Sequence, residues 1–134
     1  MNTLTEKVKE NQAITRPASP SSIVALQAAL GFSLSEEYQA FLSCFGVIVH
    51  GGSETYGLGV PDDYYLHVLN GYKDLVDDPS YPPNSVPLLA LGDGRYYLYD
   101  NQSQEILLWA TPNGGVVRRL TDSLESFLIK QIFG

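Results

Sequence analysis

One cysteine and two histidines are the first candidates for chemistry in this 134-residue chain. Cys44 could act as a nucleophile with His50 or His67 as its base. However, Cys44 lies between Phe41 and Phe45, near the apolar side of a predicted helix, where a small buried cysteine is common. Two isolated histidines without cysteine ligands are a weak metal-binding pattern. We therefore predict a packing function for Cys44 rather than catalysis.

Two pairs of adjacent carboxylates, Asp62-Asp63 and Asp77-Asp78, are the candidates for acid–base chemistry. Adjacent side chains on a helix or turn point apart, whereas acid–base catalysis needs carboxylates that face each other across a cleft. The glycine-rich segment 51–59 is similar to a phosphate-binding loop, but it lacks the following Lys-Ser/Thr and Glu54 would repel phosphate. The sequence therefore predicts that the protein is not an enzyme and has no catalytic, cofactor or metal site.

Acidic residues are concentrated in the middle of the chain. The net charge is −7, and the segment from Glu36 to Glu105 contains eleven acidic and two basic residues. Such a charge repels nucleic acid, because binding there depends on lysine and arginine at the phosphates. It would attract a basic protein and speed the encounter. Solubility alone is the alternative explanation.

Cysteine content and hydropathy indicate the compartment. A single cysteine cannot form an intramolecular disulfide, which fits a reducing environment. Residues 1–12 lack the apolar segment of a secretory signal, and no run of about 18 apolar residues is present to span a membrane. We therefore expect a cytoplasmic protein without membrane contact.

The elements that would position these residues follow from local patterns. Ser19 before Pro20 and Ser35 before two glutamates predict helix starts, and Asp122 with Glu125 predicts a capping box. We predict helices at 4–13, 20–30, 36–45 and 63–77 and from the N-cap Asp122 to the C-terminus, and strands at 47–49, 55–60, 86–91, 95–99, 105–109 and 116–120. The predicted fold is α+β, a central, mostly antiparallel sheet of about six strands with helices packed against it. We expect a single domain over residues 1–134, with residues 1–18 as a flexible or weakly helical arm.

Tyrosines are the residues best suited to protein recognition. Eight of the nine lie between residues 56 and 99. Tyr96 and Tyr97 are adjacent in a predicted strand, so they point to opposite faces and one of them faces away from the core. Exposed tyrosines among acidic residues are typical of protein-binding surfaces. The alternative is that helices cover both faces of the sheet.

Three stretches resemble, in order, the motifs of the SUKH superfamily, named for the fungal cell-wall-assembly regulator. They are LGFSLSEEYQAFL at 30–42, VPLLALGDGRYYLYD at 86–100 followed by EILLW at 105–109, and LTDSLESFL at 120–128. Together they span about residues 20–133. The chain differs from the family at Ser35, where the family has a proline, and at Phe45-Gly46, where it usually has Asn-Gly.

This resemblance implies a SUKH-like α+β domain without family catalytic residues. It also implies that a bacterial member is most often an immunity protein, which binds and neutralises a co-encoded toxin, often a nuclease with a basic groove. We therefore expect a monomer or weak homodimer that binds a basic toxin domain. A regulatory protein–protein interaction scaffold without a toxin partner is the alternative, and a small hydrolase is a third hypothesis. The predicted partner contacts are Tyr56, Asp62, Asp63, Tyr64, Asp77, Asp78, Tyr96 and Tyr97.

Overall fold

The computed structural model describes residues 1–134. The α-helices are α1 (Asn2–Glu10), α2 (Pro20–Leu30), α3 (Glu36–Cys44), α4 (Val68–Leu75) and α5 (Leu124–Leu128), and α5 continues into a π-helical turn at Ile129–Phe133. The strands are β1 (Ile14–Thr15), β2 (Ile48–His50), β3 (Ser53–Glu54), β4 (Ser85–Gly92), β5 (Arg95–Asp100), β6 (Ile106–Ala110) and β7 (Gly115–Leu120).

The strands form two antiparallel sheets. β1, β2 and β3 make a three-stranded sheet, and β4, β5, β6 and β7 make a four-stranded sheet in chain order. The two sheets meet where Thr55 pairs with Leu89 and Tyr56 N donates to Leu88 O at 2.8 Å. The predicted α+β class is confirmed, with two adjoining sheets in place of one sheet of about six strands.

Strands β4, β5 and β6 of the four-stranded sheet carry buried side chains on both faces. One face carries Tyr99 and Ile106 and packs in the main core with the helices. The other face carries Leu98 and Trp109, which pack with Leu75 of α4 in a second, smaller cluster. Because α4 covers this second face, the residues before and after α4 are held against the sheet.

Two helix starts agree with the sequence prediction. The Ser19 and Ser35 hydroxyls accept hydrogen bonds from Ser22 N at 3.2 Å and Tyr38 N at 3.1 Å, which caps α2 and α3. In both cases a hydroxyl three residues before a main-chain N–H satisfies a group that the helix itself leaves free.

The capping box predicted for α5 is wrong. Ser123, not Asp122, accepts from Ser126 N at 3.1 Å. Asp122 pairs with Lys130 at 2.9 Å. Glu125 accepts from Leu4 N at 3.0 Å, so this side chain joins α1 to α5 instead of capping its own helix.

The helix predicted at 63–77 begins later. α4 starts at Val68, and residues 61–66 form turns before it. Gly71 lies inside α4, where a Cβ would come within 2.8 Å of Tyr56 and 3.1 Å of Pro87. The glycine therefore lets α4 approach the sheet closely.

Close backbone packing determines where the segment after β3 lies. A Cβ on Gly57 would lie 1.6 Å from Gly46 O. Leu58 N donates to Gly46 O at 3.1 Å, and Arg16 N donates to Phe45 O at 2.7 Å. These contacts replace the regular strand predicted at 55–60. Since the segment leads directly into the turns at 61–66, its position sets theirs.

Cys44 is exposed. The interpretation of Cys44 as a small buried residue is therefore wrong, because the last turn of α3 directs the thiol away from the side that carries Phe41.

Candidate interaction surface

Four of the eight predicted contacts lie close together beside α4. An open cleft of about 520 Å³ is lined by aromatic, acidic and amide side chains and one lysine. We name these residues, together with Asp62, the tyrosine–acid surface: Tyr56, Asp62, Asp63, Tyr64, Tyr65, Asn70, Lys73 and Asp74. Tyr56, Asp62, Asp63 and Tyr64 of the predicted set are therefore brought together by the fold.

A second cleft of about 340 Å³ lies between α2 and α4. Its lining includes Leu26 and Leu58 of the core, and Asp62 and His67 with their polar side chains. Asn70 and Lys73 line both clefts, so the two are neighbours along the exposed side of α4. The tyrosine–acid surface thus adjoins a recess with an apolar floor and a polar rim.

Asn70 holds the turn that carries the two carboxylates. Its Nδ2 donates to Asp62 O at 2.6 Å and to Tyr64 O at 3.2 Å, and Tyr64 N donates to Pro61 O at 3.0 Å. The main chain is therefore secured while the Asp62 side chain remains fully exposed. Asn70 is not among the predicted site residues, because its amide contacts lie six and eight residues away and give no local sequence signal.

Tyr64 and Tyr65 form an exposed aromatic pair. Their ring centroids are 4.7 Å apart, and the residues are 40% and 57% exposed. The Tyr65 hydroxyl donates to the Glu54 carboxylate, and this hydrogen bond is the main reason that the pKa of Tyr65 lies above its ordinary value. Tyr65 was not among the predicted contacts. The sequence gives no local signal for the pairing of Tyr65 with Glu54, because the two residues are eleven positions apart.

His67 begins α4 and faces the second cleft. Its Nδ1 accepts from Leu69 N at 3.3 Å, and its Nε2 lies 3.7 Å from Asp62 Oδ1. Burial lowers the pKa of His67; nearby Lys73 lowers it further, and Asp62 opposes the shift. The hydrogen bond from Leu69 N needs a lone pair on Nδ1, which only the neutral imidazole offers there, so this bond and the burial of His67 both favour the neutral form.

Asp77 and Asp78 lie at the other end of α4. The Asp78 carboxylate accepts from Ser80 N and Ser80 Oγ, each at 2.8 Å, and from the Thr111 hydroxyl. These bonds, with that from Thr111 as the largest cause, lower the pKa of Asp78. Ser80 Oγ in turn accepts from Trp109 Nε1 at 3.0 Å. Asp78 thus joins the loop after α4 to the end of β6, whereas the Asp77 side chain has no such bonds.

Tyr96 and Tyr97 occupy opposite faces of the four-stranded sheet. Tyr96 is 6.0 Å from Trp109, and it lies near enough to Tyr56 to help raise the pKa of that residue, which burial raises most. Tyr97 packs edge-on against Phe127 of α5 at 4.8 Å. Both are half-buried, and only Tyr96 lies on the side of the tyrosine–acid surface.

Electrostatics at this surface favour a cationic partner. Asp62, Asp63 and Asp74 carry three negative charges, and Lys73 is the one positive charge among them. The ion pairs of the protein lie elsewhere, apart from the contact of Asp62 with His67, so Lys73 neutralises none of these carboxylates directly. Carboxylates and tyrosine rings together bind guanidinium and ammonium groups through charge and cation–π contacts.

Two further observations concern metals and membranes. The structure brings together no group of three histidine, cysteine, aspartate or glutamate side chains that could hold a metal ion. None of the helices has both the length and the apolar sequence needed to cross a bilayer.

Comparison with known proteins places the chain in a family. A crystal structure of a protein from Pseudomonas syringae pv. tomato is similar in fold, with a TM-score of 0.77 and 16% sequence identity over 96% of this chain and 95% of the other. A search of curated proteins finds no significant match. The profile of the SMI1 / KNR4 family (SUKH-1) matches residues 17–130, which include α2 to α5 and all strands except β1. The chain therefore belongs to the SMI1 / KNR4 (SUKH-1) family.

Proposed function

We propose that the protein is a cytoplasmic immunity protein that binds and neutralises a toxin, a nuclease with a basic surface. Membership of the family supports the general class, because its superfamily includes immunity proteins and regulators that act by binding other proteins. The observation that carries the specific proposal is the tyrosine–acid surface. It combines exposed aromatic rings with carboxylates that form no ion pair with a lysine or arginine of this protein.

The tyrosine pair would supply the centre of the contact. Tyr64 and Tyr65 expose large rings that already pack against each other at a tilted angle, so little conformational entropy is lost when a partner covers them. Tyrosines in such positions often account for much of the binding energy. A lysine or arginine of the partner can lie on a ring and approach Asp63 at the same time.

The acidic residues would determine the rate of encounter and the choice of partner. Their negative field attracts a basic groove of the toxin. Once the two proteins are bound, the same field repels the nucleic acid that would otherwise enter that groove. Occlusion of that groove is sufficient for neutralisation, so the proposal needs no catalytic residue in this chain. The protein would then act as a competitive inhibitor that occupies the basic groove in place of nucleic acid.

The test begins with the neighbouring reading frame. If it encodes a large protein with a basic C-terminal domain, co-expression of this chain should rescue cells from that domain, and the two should form a complex in vitro. Failure of both rescue and binding would overturn the toxin proposal. Stable binding of a non-toxic regulator at the same surface would instead support the scaffold alternative.

Variants locate the contact. Tyr64→Ala with Tyr65→Ala should weaken binding by about 2 kcal/mol or more, since each removes a potential anchor. Val24→Ala is the control, because Val24 is 65% exposed on α2 outside the tyrosine–acid surface, and it should leave affinity unchanged. Equal affinity of the double variant and the wild type would exclude the tyrosine pair from the contact.

Association kinetics test the charge. Asp62→Asn with Asp63→Asn should lower the association rate roughly tenfold at low salt and reduce its salt dependence. Glu6→Gln with Glu36→Gln removes the same charge from exposed positions elsewhere and should have a much smaller effect. If the two double variants behave alike, net charge rather than this surface steers the partner.

A further inference from the structure

The four-stranded sheet has one covered edge and one open edge. At the β4 edge, Thr55 pairs with Leu89, and Tyr56 N donates to Leu88 O at 2.8 Å. At the opposite edge, β7 pairs only with β6, and none of the backbone hydrogen bonds made by turns, loops and caps involves a residue of β7. One side of β7 therefore presents main-chain groups without protein partners.

The hydrogen-bond alternation identifies which groups are free. Asp100 N donates to Glu105 O at 3.0 Å, next to the paired residues of β5 and β6. Because hydrogen-bonded positions alternate along antiparallel strands, the odd-numbered residues of β6 bond to β5 and the even-numbered residues bond to β7. Leu108 pairs with Arg118, so Arg118 bonds inward. Arg119 consequently directs its N–H and C=O groups away from β6.

Exposed apolar and basic side chains accompany these free groups. Val116 and Val117 are 36% and 60% exposed, and Arg118 and Arg119 are exposed as well. Arg119 pairs with Glu105 at 3.1 Å, whereas Arg118 makes no ion pair. The edge thus offers a free guanidinium beside two valines.

The charge of this part of the chain differs from that of the rest. Residues 106–134 contain three basic and two acidic residues, a net charge of +1, and residues 1–105 contain five basic and thirteen acidic residues, a net charge of −8. The open edge lies across the sheet from the β4 edge, where Tyr65 and Ala90 line a common pocket. An acidic segment would therefore meet the least repulsion at β7.

We propose that β7 is a docking edge for an extended, acidic segment of a partner protein, which adds to the sheet as a fifth strand. Main-chain bonds to Arg119 would provide affinity, and alternating side chains would provide selection. Carboxylates of the segment would pair with Arg118, and β-branched residues would cover Val117. This surface does not depend on the tyrosine–acid surface or on its partner.

The arginines and the irregularity of β7 favour this occupant over others. The register of β6 and β7 shifts between Leu108 and Trp109, which leaves Val117 as an extra residue in the edge. Bulges and charges on edge strands discourage pairing with neutral or basic strands, and the same arginines favour an acidic one. Antiparallel pairing of β7 with a second copy would place four arginines along one seam, which opposes a homodimer.

Peptide titration followed by NMR tests this proposal. The ¹⁵N-labelled protein would be titrated with a blocked seven-residue peptide of alternating valine and glutamate, and with a matched peptide of valine and lysine. The acidic peptide should shift the amide signals of β7 and slow hydrogen exchange at Arg119, and the basic peptide should do neither. Scattered shifts, or equal shifts with both peptides, would overturn the proposal.

Matched variants test whether the charge of Arg118 contributes to binding of the acidic peptide. Arg118→Glu should weaken binding of the acidic peptide roughly tenfold, because attraction between the guanidinium and the peptide carboxylates becomes repulsion. Lys9→Glu makes the same change of charge at another exposed position and should leave binding unchanged. Retained affinity in Arg118→Glu would contradict the proposal, and Arg118→Gln gives a milder loss if the first variant does not fold. Shifts of β7 signals with protein concentration alone would identify a second copy as the occupant and also overturn it.

Discussion

Two sets of carboxylates in this protein are similar in sequence and opposite in structure. Both carboxylate oxygens of Glu37 accept hydrogen bonds within the fold. Oε1 accepts from Tyr99 OH at 2.9 Å, and Oε2 accepts from Leu124 N at 3.1 Å. Asp62 and Asp63 extend into solvent on a turn that Asn70 holds through main-chain groups. The first kind of acid stabilises the fold, and the second kind is available to a partner. Acidic composition alone cannot separate them.

The largest loss of stability is expected where Gly57 packs against Gly46, in the segment that leads to the tyrosine–acid surface. Gly57→Ala would place a Cβ 1.6 Å from Gly46 O, and relief of that clash requires movement of two packed backbones. We expect a loss of about 3 kcal/mol or more in the free energy of unfolding, measured by urea denaturation. Gly52→Ala is the control, since a Cβ there has no atom within 4 Å, and it should change stability by less than about 0.5 kcal/mol.

The contrast between carboxylates that are hydrogen-bonded within the fold and carboxylates that are exposed can be tested within one turn of α3. Glu36 and Glu37 both lie in the first turn of α3, so both interact favourably with the helix dipole. Glu37→Ala should cost about 2 kcal/mol, because it leaves Tyr99 OH and Leu124 N without a charged acceptor. Glu36→Ala should cost less than about 0.5 kcal/mol, since Glu36 is exposed. Equal losses in the two variants would contradict the contrast.

A smaller effect, dependent on pH, is expected for Asp78. Its folded-state pKa lies below its ordinary value because of the bonds from Thr111 and Ser80. The carboxylate therefore contributes stability above the unfolded pKa of about 3.9, and this contribution is lost as the pH falls through the lowered folded pKa.

Thermal melts of Asp78→Asn and Asp77→Asn measure this difference. Asp78→Asn should lower Tm at pH 7, and the deficit should shrink below about pH 4 as the wild type protonates. Asp77→Asn should melt close to the wild type at both values. A deficit in Asp78→Asn that stays constant down to low pH would show that the bonds do not depend on the charge.

The smallest stability effect is expected at the proposed contact itself. Asp62→Asn with Asp63→Asn removes two exposed carboxylates whose oxygens accept no hydrogen bond from the rest of the protein. We therefore expect Tm to change little. We expect a change within about 0.5 kcal/mol, measured by denaturation, beside the slower association predicted above. A clear loss of stability would place these residues among the structural acids with Glu37.

Much of the fold was predictable because its signals are local. Ser19 and Ser35 cap helices through bonds to residues three positions away, and the alternation of Tyr96 and Tyr97 follows from strand geometry alone. The α5 start was misplaced by one residue because Ser123 and Asp122 are both good capping residues. Propensity does not choose between two adjacent candidates.

The candidate site was predictable only in part. Tyr56, Asp62, Asp63 and Tyr64 are close together because residues 61–66 turn back against α4, which a helix over 63–77 would have prevented. Tyr65 was missed because its partner Glu54 lies eleven residues earlier, and no local pattern links the two. Whether these residues contact a partner remains a prediction for the binding experiments.

The sequence by itself determined the fold class, the family motifs and the acidic centre of the chain, since each depends on residue type, order and spacing. The tertiary structure alone decided which acids and tyrosines are free. Glu37 and Leu124 are 87 positions apart and Asp78 and Thr111 are 33 apart, and only packing brings such partners within hydrogen-bond distance. The same packing covers one edge of the four-stranded sheet and leaves β7 open, because hydrogen bonding between distant strands cannot be read from either strand alone.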